Sequence, residues 1–161
     1  MMKVFRRGAL AVMAMIAVLL VGASPSFAAT SMWYQSQSTT SPTLYQTNLL
    51  YRTADFTYPG STPAAAAVTS IDWQWRMIYA VPSGTTLRVW LCAGSTDNYC
   101  TRVNVDSPQY SSGSGNTTAF LNYSARTNFH YSLALVASTT YVLPSPYYPS
   151  SFYSVQVNYS Y

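Results

Sequence analysis

The stretch "TLRVWLCAGSTDNYCTRVNV", Thr86 to Val105, restricts the fold more than any other part of the chain. It holds the only two cysteines, Cys92 and Cys100, with seven residues between them and with apolar and polar residues alternating on either side. Alternation of period two puts successive side chains on opposite faces of a strand, so the stretch reads as a β-hairpin closed near its tip. If the cysteines face each other, the register follows. Trp90 then lies opposite Arg102 and Arg88 opposite Asn104, while Leu91 meets Thr101, Val89 meets Val103 and Leu87 meets Val105. The second set is a core face, so the first set and the bridge lie on the outer face. A loop this small, once bridged, constrains the unfolded chain by about 2–3 kcal/mol in the entropic account. The expected disulfide Cys92–Cys100 is structural.

The rest of the chain is punctuated in the same way. "SMWYQSQS" (Ser31–Ser38) and "TLYQTNLLYR" (Thr43–Arg52) read as strands, and "DFTYPGSTPAAAA" as a loop with two prolines. "SIDWQWRMIYA" alternates cleanly, with Ile71, Trp73, Trp75, Met77 and Tyr79 on one face, and "VPSG" is a turn. "SSGSGN" (Ser111–Asn116) reads as a flexible loop. "TTAFLNY" (Thr117–Tyr123), "HYSLALVA" (His130–Ala137), "TYVLP" (Thr140–Pro144) and "SVQVNYSY" (Ser154–Tyr161) are further strands. About eight short strands with regular turn signals and no helical period predict an all-β fold, a single antiparallel β-sandwich.

The first 28 residues predict the compartment. Lys3, Arg6 and Arg7 precede an apolar run from Gly8 to Gly22 and the small-residue end "ASPSFAAT". That is the form of a secretory signal peptide, with cleavage expected after Ala28. The Arg6–Arg7 pair lacks the surroundings of a twin-arginine signal, so a Sec-type route to the periplasm or beyond is expected. The run is too short for a comfortable membrane span, and no later stretch approaches the roughly 18 residues that a span needs. Residues 29–161 then form one domain. They carry five arginines (52, 76, 88, 102 and 126) against four aspartates (55, 72, 97 and 106), with no Lys or Glu. Nucleic-acid binding needs cations clustered on one face, and these are scattered.

Catalysis finds little support. His130 is the only histidine and heads an apolar strand, where it reads as a strand-end or loop residue. Paired cysteines leave no thiol as nucleophile or metal ligand. Asp55, Asp97 and Asp106 adjoin turn residues, where Asp commonly caps its own backbone. No phosphate loop or nucleophile elbow is present. The reading is a non-enzyme with no cofactor and no metal.

Contact surfaces remain. Trp90 beside Arg102, with Arg88 diagonal to it, forms an outer aromatic–guanidinium patch, which serves either as a cross-strand pair or as a docking surface. The loop "LPSPYYPSSFY" is the second candidate. Pro144, Pro146 and Pro149 stiffen it, and Tyr147, Tyr148 and Phe152 either meet a partner or cover the open end of the sandwich. Two other classes fit the composition. One is a glycan-binding module using Trp33, Trp90 and the tyrosine loop. The other is a subunit of a surface coat whose edge strands pair with neighbours. No hydrophobic donor extension precedes the first strand, and a monomer is expected.

The order Trp75-Arg76, Pro82, Gly84, "LRVWLC" (Leu87–Cys92), a second cysteine, a Gly-rich stretch before Ala119-Phe120, Phe129 and a terminal "VQVNY" (Val155–Tyr159) resembles the FlhE family of flagellar accessory proteins. The resemblance spans Ala66 to Tyr161. It implies an all-β, non-catalytic periplasmic protein at the flagellar type III export gate, limiting proton leakage as a plug or chaperone-like partner and influencing motility. The chain departs from that family in lacking Lys and Glu after the leader and in placing Trp90 where a charged residue often stands.

Overall fold

The computed structural model describes residues 28–38, 42–104 and 112–161. Residues 1–27 of the expected leader, Asp106 and the pairing of Leu87 with Val105 lie outside these residues. Among the described residues there are ten strands and no helix. In chain order they are β1 (Thr30–Gln37), β2 (Leu44–Gln46), β3 (Tyr51–Arg52), β4 (Ala67–Met77) and β5 (Thr86–Ala93), then β6 (Cys100–Arg102), β7 (Ser112–Thr117), β8 (Phe129–Val136), β9 (Val142–Tyr147) and β10 (Ser150–Ser160). One four-stranded sheet runs β1-β10-β4-β7, a second runs β3-β8-β5-β6, and β2 pairs with β9. Every pairing is antiparallel.

The two large sheets face each other across a core set by the period-two pattern. Leu87, Val89 and Leu91 of β5 and Phe129, Tyr131, Leu133 and Leu135 of β8 point inward from one sheet. Trp33, Ile71, Trp75, Tyr153, Val155 and Val157 point inward from the other, all buried. Tyr131 ties the layers together. Its hydroxyl lies 2.8 Å from the Ser154 carbonyl oxygen and 3.1 Å from that of Gln74, and its ring sits 5.2 Å from that of Tyr153. Burial holds this phenol far above its ordinary ionisation range.

The hairpin forms in the register that the cysteines dictate: Cys92 faces Cys100, Leu91 faces Thr101 and Trp90 faces Arg102. The disulfide is formed. The ladder ends at Arg102 because Asn104 replaces it with its side chain. The Asn104 Oδ1 accepts from the Val89 N–H at 2.8 Å, and its Nδ2 donates to the Leu87 carbonyl at 2.8 Å.

Several elements differ from the sequence reading. Thr43–Arg52 is not one strand, because Asn48 takes a left-handed conformation (φ 58°) and breaks it into β2 and β3. The Asn48 amide fastens the break, donating to the Ala137 carbonyl at 3.1 Å and accepting from the Ala137 N–H at 3.0 Å. The "SGSGN" segment is strand β7 rather than a loop. Its glycines are there for close approach. A Cβ on Gly113 would lie 2.7 Å from the Trp75 indole, and one on Gly115 would lie 2.7 Å from that of Trp73. Residues after Thr117 form turns rather than a strand, with Asn122 left-handed (φ 67°) and Phe120 packed on Phe129 at 5.3 Å. The proline-rich loop is largely β9 and the start of β10. Pro144 and Pro146 are tolerated because β9 belongs to a two-stranded ribbon with an irregular register.

Candidate functional site

The outer face of the hairpin sheet is not flat. Arg88 and Trp90 on β5 lie beside Ser132, Ala134 and Val136 on β8, and together they floor a groove of about 450 Å³. Two loops wall it. The turn fixed by Asn48 lifts Leu49 and Leu50 over one side, each 48% exposed. The disulfide-closed loop, residues 93–99, folds back over the other side and brings Asp97 to the rim.

That loop is latched to β8. The Asp97 Oδ1 lies 3.0 Å from the Nε2 of His130 and accepts the Ser132 hydroxyl hydrogen bond. His130 Nδ1 faces the Gly94 carbonyl at 3.1 Å, and the ring is fully buried. Gly94 turns the chain there with φ 82°. On the neighbouring strand Arg52 bonds both Asp55 and the Ser95 carbonyl, tying β3 to the same loop. Burial pushes the Asp97 carboxyl upward, but the hydrogen bonds from Ser132 and His130 and the charges of His130 and Arg52 outweigh it. The group is held below its ordinary 3.8.

This cluster resembles a nucleophilic triad only in composition. Ser132 bonds directly to the carboxylate, and both His130 nitrogens are spent on Asp97 and a backbone carbonyl, so the imidazole is not aimed at the hydroxyl as a triad requires. Cys92, Asp97 and Cys100 come close enough to hold an ion, but the two sulfurs are joined to each other and offer no thiolate. What the arrangement does is hold a loop over an apolar groove with a charged rim.

The sequence-derived site residues divide in two. Arg88 and Trp90 line the groove, and Arg102 stands exposed across from Trp90. The tyrosine set does not form one surface. Tyr147 is a correction: it is 6% exposed and its hydroxyl donates to the Tyr79 carbonyl at 3.2 Å, because alternation along β9 turns it inward. Burial pushes its phenol up to about 12. Tyr148 is exposed at a separate apolar cavity of about 390 Å³ beside Pro144 and Pro146. Phe152 lies on the other sheet, paired with Arg76. Trp33 is no stacking platform either, being 4% exposed with its Nε1 donating to the Ala125 carbonyl at 2.9 Å. His130 and Asp97 were missed as partners. Their only signal was the odd placement of a histidine in an apolar strand on the same face as Cys92, which the pairing Cys92 with His130 makes explicit.

No protein-family model and no curated protein matches this chain. Among solved structures, a crystal structure of FlhE aligns with a TM-score of 0.62 at 20% identity, covering 82% of this chain and 98% of that one. A cyanophage Pam1 capsid chain aligns at 0.46 and 20% identity, covering 86% of this chain and 91% of that one. An infectious bursal disease virus chain of the Gx strain aligns at 0.43 and 10% identity, covering 86% of this chain and 35% of that one. The two viral likenesses are too distant to bear on the architecture. The class that the sheets and register define is an antiparallel, disulfide-closed β-sandwich. Within that class the chain has an FlhE-like fold.

Proposed function

We propose that this protein is a periplasmic flagellar accessory protein of FlhE type, reaching that compartment by a cleaved leader. It acts without catalysis at the flagellar type III export gate, where it limits proton leakage by docking on a membrane protein of the apparatus. The observation that carries the reading is the FlhE-like fold over 98% of the FlhE chain. The disulfide fits an oxidising compartment. No helix among the described residues is long and apolar enough to cross a membrane. The docking surface is the groove floored by Arg88, Trp90 and Ala134 and walled by Leu49 and Leu50. Aromatic and arginine side chains around an apolar centre are the composition of interface hot spots. The test is cytoplasmic pH under mild external acid, in cells with assembled export gates, with and without the gene. Faster acidification without it, rescued by the wild-type protein, is expected. Equal rates discard the gating role.

A second reading, glycan binding, has one observation in its favour on the opposite side of the molecule. Asp72 accepts from Asn116 Nδ2 at 2.7 Å, Asn158 Nδ2 at 2.8 Å and Gln156 Nε2 at 3.1 Å, next to an exposed Tyr34. A preordered carboxylate and carboxamides beside an aromatic ring suit sugar hydroxyls and a sugar face. Titration of intrinsic fluorescence with polysaccharides tests it, and a flat response removes it.

A further inference from the structure

We propose that two copies of this chain associate through β1, edge to edge and antiparallel, to form a two-fold dimer with one continuous sheet across the interface. The phase of the β1–β10 ladder is fixed at its end, where Ala29 and Tyr161 exchange both backbone hydrogen bonds at 2.9 Å. Hydrogen-bonded pairs alternate along an antiparallel ladder. Ser31, Trp33, Gln35 and Gln37 therefore turn their N–H and C=O groups toward β10. Thr30, Met32, Tyr34 and Ser36 turn theirs away, to the side where no strand follows in the sheet among the described residues. None of those four residues has a backbone partner on that side among the described residues.

An edge of this kind is a template for pairing unless something blunts it. β1 itself carries none of the protections that a strand can build into its own sequence. It contains no charge and no proline, and its register against β10 runs without a bulge over eight residues. The other edges of the two large sheets are poorer templates: β3 has two residues, β6 has three and carries Cys100 and Arg102, and β7 is interrupted by two glycines. The inner row of β1 is already committed, since the Trp33 indole bonds Ala125 and the Gln35 amide holds both the carbonyl and the N–H of Thr57. Pairing at the outer edge therefore leaves the fold untouched.

The occupant is a second copy because the strand is complementary to itself. Centred on Trp33, the antiparallel register puts Met32 opposite Tyr34 of the partner subunit and Thr30 opposite Ser36 of the partner subunit, and the reverse. All four outward-facing residues are then used, each facing pair exchanging two backbone hydrogen bonds. Met32 and Tyr34, 59% and 55% exposed in the single chain, cover each other across the axis. A two-fold contact of one patch with itself is the commonest arrangement in homo-oligomers. This replaces the monomer expected from the sequence.

Sedimentation of the mature protein from micromolar to millimolar concentration tests the dimer. The expected result is a concentration-dependent doubling of mass. Tyr34→Pro, which removes an outward N–H that the fold does not use, should leave a monomer with an unchanged near-UV spectrum. Should that variant fail to fold, Met32→Lys with Tyr34→Lys leaves the backbone intact and sets like charges opposite each other, again giving a monomer. The register has its own test. An oxidised mixture of Met32→Cys and Tyr34→Cys chains should cross-link in higher yield than either alone, since facing residues sit about 5.5 Å apart. A wild type that stays monomeric at millimolar concentration overturns the proposal. A dimer that survives both edge variants, or a cross-link no better in the mixture, overturns it as well.

Discussion

Asp97 sits 3.0 Å from His130, and the disulfide between Cys92 and Cys100 is what brings it there. The bridge closes the loop that carries the carboxylate, and Cys92 is itself the residue that pairs with His130 across β5 and β8. One covalent link thus does two things. It fixes the hairpin register, and it seals a fully buried imidazole under a loop that would otherwise be free to lift. A buried polar ring left without its partners is costly, so the latch and the hairpin stabilise each other.

Reduction should therefore cost more than loop entropy alone. We expect Cys92→Ser with Cys100→Ser to lower stability by at least about 2–3 kcal/mol, the loop term. The loss of the Asp97 contact adds to this. Denaturant melts of oxidised and reduced protein measure the difference. Identical midpoints would mean that neither register nor latch depends on the bridge.

The latch also predicts an acid limb. Asp97 is held below its ordinary 3.8 in the folded protein, so the native state binds fewer protons at this site than the unfolded chain does. Its contribution is fully present above the unfolded value and is lost as pH falls through the folded one, which places the window below about pH 4. Stability curves of wild type and Asp97→Asn should converge as pH drops through that window. Ser132→Ala removes a donor to the carboxylate and so should raise the folded value and shorten the limb. Parallel curves for wild type and Asp97→Asn would mean that the carboxylate is not held low.

The sequence showed the sheets better than it showed the latch, for a physical reason. Period-two alternation is a local signal, and it located β4, β5 and β10, whereas β8, buried on both faces, was legible as a short apolar run. The hairpin register followed from one covalent assumption. What failed was read from composition without the partner strand. Asn48 sits between the polar pair Gln46-Thr47 and the apolar pair Leu49-Leu50, with no glycine or proline to mark a break, and "SGSGN" has the composition of a linker. Its role as a strand depends on the indoles of Trp73 and Trp75 lying over it, a contact between segments some forty residues apart. The Asp97–His130 pair is non-local in the same way. Tyr147 was misjudged because prolines suggested a loop, whereas alternation within β9 turns it inward.

Those glycines provide a graded test. Gly113→Ala drives a methyl to 2.7 Å from Trp75, which is fully buried and has nowhere to go. Overpacking of this kind costs about 1–3 kcal/mol. Gly115→Ala meets Trp73, which is only partly buried and can swing outward, so a smaller loss is expected. Thermal melts of the two variants should rank in that order. An equal or reversed ranking would mean that the indoles, not the glycines, adapt.

The groove and the tyrosine ribbon are separated by a last pair of variants. Trp90 and Arg102 face each other on the outer side of the hairpin sheet, where neither is part of the core. Replacing both with Ala should change stability by no more than about 1 kcal/mol, as is usual for substitutions away from the core. The same double variant should fail to restore slow acidification in cells lacking the gene, since it removes the indole from the floor of the proposed docking groove and the guanidinium that faces it across the hairpin. Tyr147→Ala should do the opposite. Its ring is 6% exposed and belongs to the core, so truncation opens a cavity and costs about 3–5 kcal/mol. Any loss of function there should track the loss of folded protein. A stable Tyr147→Ala protein that fails in cells would move the docking surface to the tyrosine ribbon. A Trp90→Ala, Arg102→Ala protein that is folded and fully active would remove the groove from the mechanism.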